Sequence, residues 1–330
     1  MNIFVTGATG YIGKNLSLRL AREGHIVHAL YRDINKTKGL EHKNIKLLHG
    51  DILDKNSLLT GMKECTRIFH TAAFTSVWTR KPSTIKSLNV EGTINVFETA
   101  LEISAEKVVY TSTAGVFGPS GKILTEENMP YPSSFYTHYE KTKAYIEQTV
   151  VREFIEKGLN VTVVNPTRVY GPGPLNDANS VSKIIKRHLE GKIGLVPSDG
   201  KSIGNYVYVD DVVKGLVLAM KKGKKGERYI LGGENIAFID LMQLIARESG
   251  KKSRLIKIPV FVMFCLSWIL LIFAEITGIK PMITPGLVKK FLPHWRVSSE
   301  KAKKELDYNP VNLEFGINKT IEWLKKEYDL

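Results

Sequence analysis

The stretch Thr6-Gly7-Ala8-Thr9-Gly10-Tyr11-Ile12-Gly13 decides how the rest of the chain is read. Before it runs Asn2–Thr6, a short apolar segment with strand character; after it comes Ile12–Arg22, with apolar residues at helical spacing. A strand that turns through glycines into a helix is the setting a dinucleotide pyrophosphate requires. Gly7 permits the sharp exit from the strand, Gly10 lets backbone approach the pyrophosphate, and Gly13 lets helix and sheet pack closely. Thr9, Tyr11 and Ile12 complete the turn, and the helix N-terminus offers free N–H groups and a positive dipole end to the phosphates. Glycine triplets alone say little, because turns use glycine everywhere; the strand–turn–helix setting carries the reading.

Working outward, β-branched runs alternate with amphipathic helices. The strand candidates are Asn2–Thr6, Ile26–Tyr31, Ile45–His49, Arg67–Thr71, Lys107–Thr111 and Val161–Asn165, with helices such as Ile12–Arg22, Ile85–Ile103 and Thr137–Lys157 between them. Near-continuous apolar strands with helical crossovers predict an α/β fold, a Rossmann-type doubly wound parallel sheet covered on both faces. From about Val169 the rhythm breaks at Gly171-Pro172-Gly173-Pro174. Strand-like pieces return near Asn205–Val209 and Arg228–Leu231, both expected as late additions to the first sheet. The predicted organisation is a dinucleotide-binding domain over residues 1–168 plus about 204–232. A smaller, discontinuous substrate domain takes about 169–203 plus 233–330.

The second strand ends in Tyr31-Arg32-Asp33, about 20 residues beyond the glycines, where the ribose-recognition residue belongs. Arg32 can take a 2′-phosphate bidentately, so NADP(H) is preferred and NAD(H) remains open because Asp33 lies close. Asp51-Ile52 follows the third strand, placed to contact adenine. Tyr139 and Lys143, at i and i+4 early in a helix, share one face. A free phenol has a pKa near ~10; a neighbouring ammonium should lower it, making Tyr139 a proton donor or acceptor at a carbonyl or alcohol oxygen. Thr111-Ser112-Thr113-Ala114 lies just past the fifth strand, where a hydroxyl can bond the substrate oxygen; Thr113 is the choice, with Ser112 the alternative.

Together these residues resemble the extended branch of the short-chain dehydrogenase/reductase superfamily, over nearly the whole chain. Gly7, Gly10 and Gly13 match its cofactor motif, and Thr113, Tyr139 and Lys143 its catalytic trio. His70-Thr71-Ala72-Ala73 matches the segment lining the cofactor, Asn89-Val90-Glu91-Gly92-Thr93 the structural-asparagine region, and Asn165-Pro166-Thr167-Arg168 the segment beside the nicotinamide. Within the branch the chain looks most like dihydroflavonol-4-reductase-like and 3β-hydroxysteroid-dehydrogenase-like members. That resemblance implies reversible hydride transfer to a ketone, and a helix-mediated homodimer. Nucleotide-sugar epimerases and dehydratases share the trio and are the nearest rivals, although Ala114-Gly115-Val116 stands where dehydratases often carry acids. A non-catalytic dinucleotide sensor is a distant alternative, since such proteins tend to lose the tyrosine or lysine.

Composition narrows the setting. With 43% hydrophobic and 24% charged residues, the 330-residue chain is globular rather than disordered. Its two cysteines, Cys65 and Cys265, suit a reducing compartment, and nothing has metal-ligand spacing. Met1 leads straight into Ile3-Phe4-Val5 without a targeting pattern, so a cytoplasmic location is expected. A net charge of +14 comes without any nucleic-acid signature, so nucleic acid is not expected as a partner. Ile258–Ala274 carries no charge at all. The favoured reading is an internal or pocket-lining helix, ahead of peripheral membrane contact through residues 258–274 and of a full span. The favoured readings suggest an apolar small-molecule substrate.

Overall fold

The computed structural model describes residues 1–76, 78–121 and 124–330. Seven parallel strands form the main sheet: β1 (Asn2–Thr6), β2 (Ile26–Tyr31), β3 (Ile45–His49), β4 (Arg67–His70), β5 (Lys107–Thr111), β6 (Val161–Pro166) and, later in the chain, β10 (Arg228–Leu231). Their spatial order is β10-β6-β5-β4-β1-β2-β3, so the winding direction reverses between β1 and β4. The strands are apolar on both sides because both faces are covered. Ile3 and Val5 point into one core with α1 (Tyr11–Arg22), and Phe4 points into the other with Leu58 and Met62 of α2 (Lys55–Met62).

Two long helical segments on the second face each contain a π-helical turn. The first runs as α3 (Pro82–Lys86), a π turn over Ser87–Glu91 and α4 (Gly92–Glu102). The second runs as α5 (His138–Tyr145), a π turn over Ile146–Val150 and α6 (Val151–Glu156). Such one-turn widenings shift the register of whatever follows and are frequent at functional sites.

Beyond β6 the chain leaves the main sheet at once. β7 (Arg168–Tyr170) pairs in parallel with β9 (Ile203–Tyr208), and β9 pairs antiparallel with β11 (Glu234–Ala237). The strand near Asn205–Val209 therefore belongs to a separate three-stranded sheet, whereas β10 joins the main one as expected. The cause is the Asn205 side chain, which is buried and bonded to Thr167 Oγ1, the Gly233 backbone and Asn235. It pins β9 to the connections around it rather than to β10. β8 (Gly194–Pro197) and β12 (Leu255–Ile258) form a further parallel pair. Helices α7 (Ser180–Leu189), α9 (Phe238–Ser249) and α13 (Leu313–Tyr328) enclose a third core around Ile185, Ile245 and Ile317, while α8 (Val209–Lys222) returns to pack on α1 and the main sheet.

The apolar stretch expected inside the protein forms α10 (Val260–Thr277) on its outside. Only Met263, Ser267 and Ala274 of its 18 residues are buried. The reading of an internal helix is thus corrected, since a single stripe of three residues packs against the rest of the protein. α11 (Pro285–Phe291) and α12 (Glu300–Leu306) complete the element order before α13.

Candidate active site

The C-terminal ends of β1, β4, β5 and β6 meet along one edge of the sheet, at the reversal where an open α/β sheet leaves a ligand crevice. Gly7 has φ +67°, and a Cβ there would lie 2.6 Å from the Ala72 nitrogen. A Cβ on Gly13 would stand 2.1 Å from the Gly7 carbonyl oxygen and 2.6 Å from Thr71 Oγ1. Both glycines are required by close approach. Gly10 opens α1, where among the described residues no side chain caps the helix, so its first-turn N–H groups are available to an anion. Thr71 Oγ1 donates to the Thr6 carbonyl at 2.6 Å, and the Ala72 N–H donates to Thr6 Oγ1 at 3.2 Å, which stitches residues 71–73 to the glycine turn. Thr9, Ile12 and Ala73 lie half-buried in these same segments. Tyr11 turns inward, its hydroxyl donating to the Gly171 carbonyl at 3.2 Å, so only its backbone faces the turn. These residues fit a dinucleotide: a cradle without side chains, at an uncapped helix end.

At the tip of β2, Arg32 is exposed, with Nη1 3.4 Å from Asp51 Oδ2. Asp33 is otherwise engaged, its carboxylate accepting the Asn35 N–H at 3.0 Å to cap a short turn. The Ile52 side chain is buried against Gly92, which leaves Asp51 the more accessible of that pair. Pro166 is buried at the end of β6, beside Leu231 of β10.

The head of α5 stands over the end of β5. Thr137 starts the helix by accepting the Glu140 N–H, which places Tyr139 and Lys143 one turn apart on it. Lys143 is 2% exposed; its Nζ donates to the Thr111 carbonyl at 2.7 Å and sits 4.4 Å from the centre of the Tyr110 ring. Thr113 Oγ1 accepts the Gly115 N–H at 3.2 Å, a capping bond that leaves its own proton to donate. Ser112, the alternative, is buried beside the Glu147 carboxylate. Asn89, inside the first π turn, accepts the Phe74 N–H at 2.7 Å and donates to Thr142 Oγ1 at 3.2 Å. It thereby ties the loop after β4 to the helix that carries Tyr139 and Lys143.

The electrostatics depart from the simple expectation of an acidified phenol. Burial pushes Tyr139 up, and the carboxylates of Glu140 and Glu147 push the same way. Burial also brings Lys143 down to about 7, with only Glu147 opposing. The lysine thus holds no secure positive charge near the phenol at neutral pH, because the dry surroundings penalise charge on both groups.

Sequence reasoning missed the support behind this pair. Glu147 lies in the second π turn, its carboxylate accepting from Asn165 Nδ2 and from the Tyr131 hydroxyl, each at 2.8 Å. Arg228, with its guanidinium against the rings of both Phe117 and Tyr131, lies 3.6 Å from the same carboxylate. The spacing of Glu147 four residues after Lys143 was a usable signal; nothing local could announce Arg228, which arrives from β10. His70 is fully buried between Thr6 and Thr93 hydroxyls, and burial, reinforced by Lys143, lowers it to about 3, so it is a neutral structural bridge. Among the described residues no cluster of His, Cys, Asp or Glu could hold a metal ion.

Comparisons with known proteins accord with this geometry. The sequence model of the family described as NAD dependent epimerase/dehydratase matches residues 3–232. Sterol demethylase protein B of Methylococcus capsulatus is 31% identical over 261 residues, 78% of each chain. The 3beta-hydroxysteroid-dehydrogenase/decarboxylase isoform 1 of Arabidopsis thaliana is 26% identical, over 96% of this chain and 78% of that protein. Among solved structures, UDP-glucose 4-epimerase of Thermotoga maritima, crystallised with UDP-glucose, superposes with a TM-score of 0.82 at 25% identity, covering 99% of both chains.

Proposed function

The chain belongs to the NAD dependent epimerase/dehydratase family, and from that premise we propose that it is an NAD(P)H-dependent reductase or dehydrogenase acting on a ketone or secondary alcohol of an apolar molecule. The observation that supports the chemistry is the head of α5, which carries both Tyr139 and the buried Lys143, with Lys143 Nζ donating to the carbonyl of Thr111, two residues before Thr113. When bound, the dinucleotide supplies hydride to a carbonyl carbon or takes it from a carbinol carbon. Thr113 donates its free proton to the substrate oxygen and orients it. Tyr139, held above the ordinary phenol range, keeps its proton at neutral pH and can give it to an oxygen as negative charge develops there, which suits the reductive direction. Lys143, with its pKa near 7, can gain or lose a proton at working pH while the Thr111 carbonyl fixes its position. Asn89 keeps Tyr139 and Lys143 in register with the crevice wall.

Arg32 at the β2 tip supports NADPH over NADH, since the Asp33 carboxylate is spent on its own turn. An apolar substrate is supported by the rim. Trp78 of the loop after β4 donates to Glu275 of α10 at 3.0 Å, and the ring of Tyr136, three residues before Tyr139, packs on Trp295. The names of the sterol demethylase and hydroxysteroid dehydrogenase relatives point the same way. A nucleotide-sugar epimerase is the second reading, favoured by the likeness to UDP-glucose 4-epimerase along the whole chain. The deciding measurement is NADPH and NADH oxidation against steroid-like and other apolar ketones, alongside epimerisation of UDP-sugars and the dinucleotide content of the purified protein. Apolar ketones consumed faster with NADPH are expected; tightly retained NAD with sugar epimerisation and no net oxidation would replace the reductase reading.

A further inference from the structure

We propose that α10 is a membrane-docking helix that lies in the plane of an anionic lipid surface and presents the active-site mouth to substrate dissolved there. The inference rests on the apolar-substrate reading above and adds where that substrate is collected. At ~100° per residue, the exposed residues of α10 spread over about 200°, with Glu275 and Thr277 at the two edges, while Met263, Ser267 and Ala274 fall on the opposite side. Between those two polar edges the outer face is apolar and includes Phe261 (77% exposed), Leu266, Ile269, Ile272, Phe273 and Ile276 (72%), with Trp268 beside Glu275 at its margin. Ile279 and Met282, just beyond the helix, extend it. A contiguous apolar surface of this kind marks an interaction site.

Charge selects the occupant. Residues 250–299 contain eight lysines and arginines and one acid, Glu275. Lys251, Lys252, Arg254 and Lys257 precede the helix, all exposed, while Lys280 beyond it is paired with Asp177. Anionic headgroups complement such a flank. A second copy of this chain seated symmetrically on the face would instead bring two such basic segments together. The orientation also follows from the fold. A span would pull Met263, Ser267 and Ala274 out of their packing, whereas a helix lying flat keeps them and leaves the exposed basic residues before it to meet headgroups. The helix adjoins the site: Glu275 accepts from Trp78, Gly278 lies against Arg80, and α11 follows with Gly286 against the Tyr136 carbonyl and Lys290 paired with the buried Glu140.

The test is flotation of the full-length protein with vesicles of phosphatidylcholine alone and of phosphatidylcholine with phosphatidylglycerol, for wild type and for an Ile269→Glu/Ile276→Glu variant, with sedimentation of both without lipid. Wild type should float with the anionic vesicles, less so at high salt, and the variant should lose at least ~10-fold in partitioning. The variant should turn over a water-soluble ketone like wild type while losing turnover of a ketone dissolved in the vesicles. Wild type that ignores both vesicles would overturn the proposal, and a dimer dissociated by the variant would assign the face to self-association. Vesicle binding without turnover of any ketone would refute the proposed reaction and leave the docking surface standing.

Discussion

Two helical segments of this protein invert the ordinary rule of burial. The segment at residues 138–156 is polar, yet Glu140, Lys143 and Glu147 are all buried. α10 is almost entirely apolar, yet most of it is exposed. Buried charge is tolerated only where partners are supplied, and here Thr111, Lys290, Asn165, Tyr131 and Arg228 supply them. An apolar face left in water has no such compensation inside the protein. Both departures lie beside the same crevice, which is where a sequence should be expected to sacrifice stability for function.

The inversion can be tested from each side. The largest expected effect is at Tyr139: Tyr139→Phe should lower turnover by ~10²–10⁴ while the dinucleotide affinity measured by fluorescence titration stays nearly unchanged. Undiminished turnover would remove the reason for the polar helix to be inside. Lys143→Met should abolish most turnover as well, but its sharper readout is stability. The folded pKa near 7 lies below the free value of ~10.4, so from about pH 7 to 10 the unfolded chain binds the extra proton. The lysine's contribution to stability therefore rises across that window. Urea denaturation of cofactor-free protein should show the methionine variant's relative stability falling by up to a few kcal/mol as pH climbs from 7 to 10. A difference independent of pH would mean that Lys143 stays charged in its site. The smallest effect belongs to α10, where Phe261→Gln should shift stability by no more than ~0.5 kcal/mol in the same assay, since the side chain is 77% exposed. A loss of several kcal/mol would show that the face is covered after all.

Much of the first half was legible because its signals are local. The glycine turn, the six leading strands and the Tyr139–Lys143 spacing each follow from residues within a few positions of one another, and the strands formed within a residue or so of their expected limits. The two π turns were not legible, since helical periodicity reads straight through them at 87–91 and 146–150. Neither was the sheet to which β9 belongs. Its apolar alternation announces a strand but not a neighbour, and the choice was made by Asn205 through bonds to residues 28 and 38 positions away.

The sequence by itself determined the parallel sheet, the anion-binding turn and the pairing of a phenol with an amine on one helical face, because strand and helix periods and glycine sterics act over short range. Only the tertiary structure decided that both groups of that pair sit in surroundings dry enough to disfavour their charged forms, that Arg228 and Glu147 brace them from behind, and that α10 faces outward. Burial is a property of what packs around a residue, and its surroundings here come from segments more than a hundred positions apart.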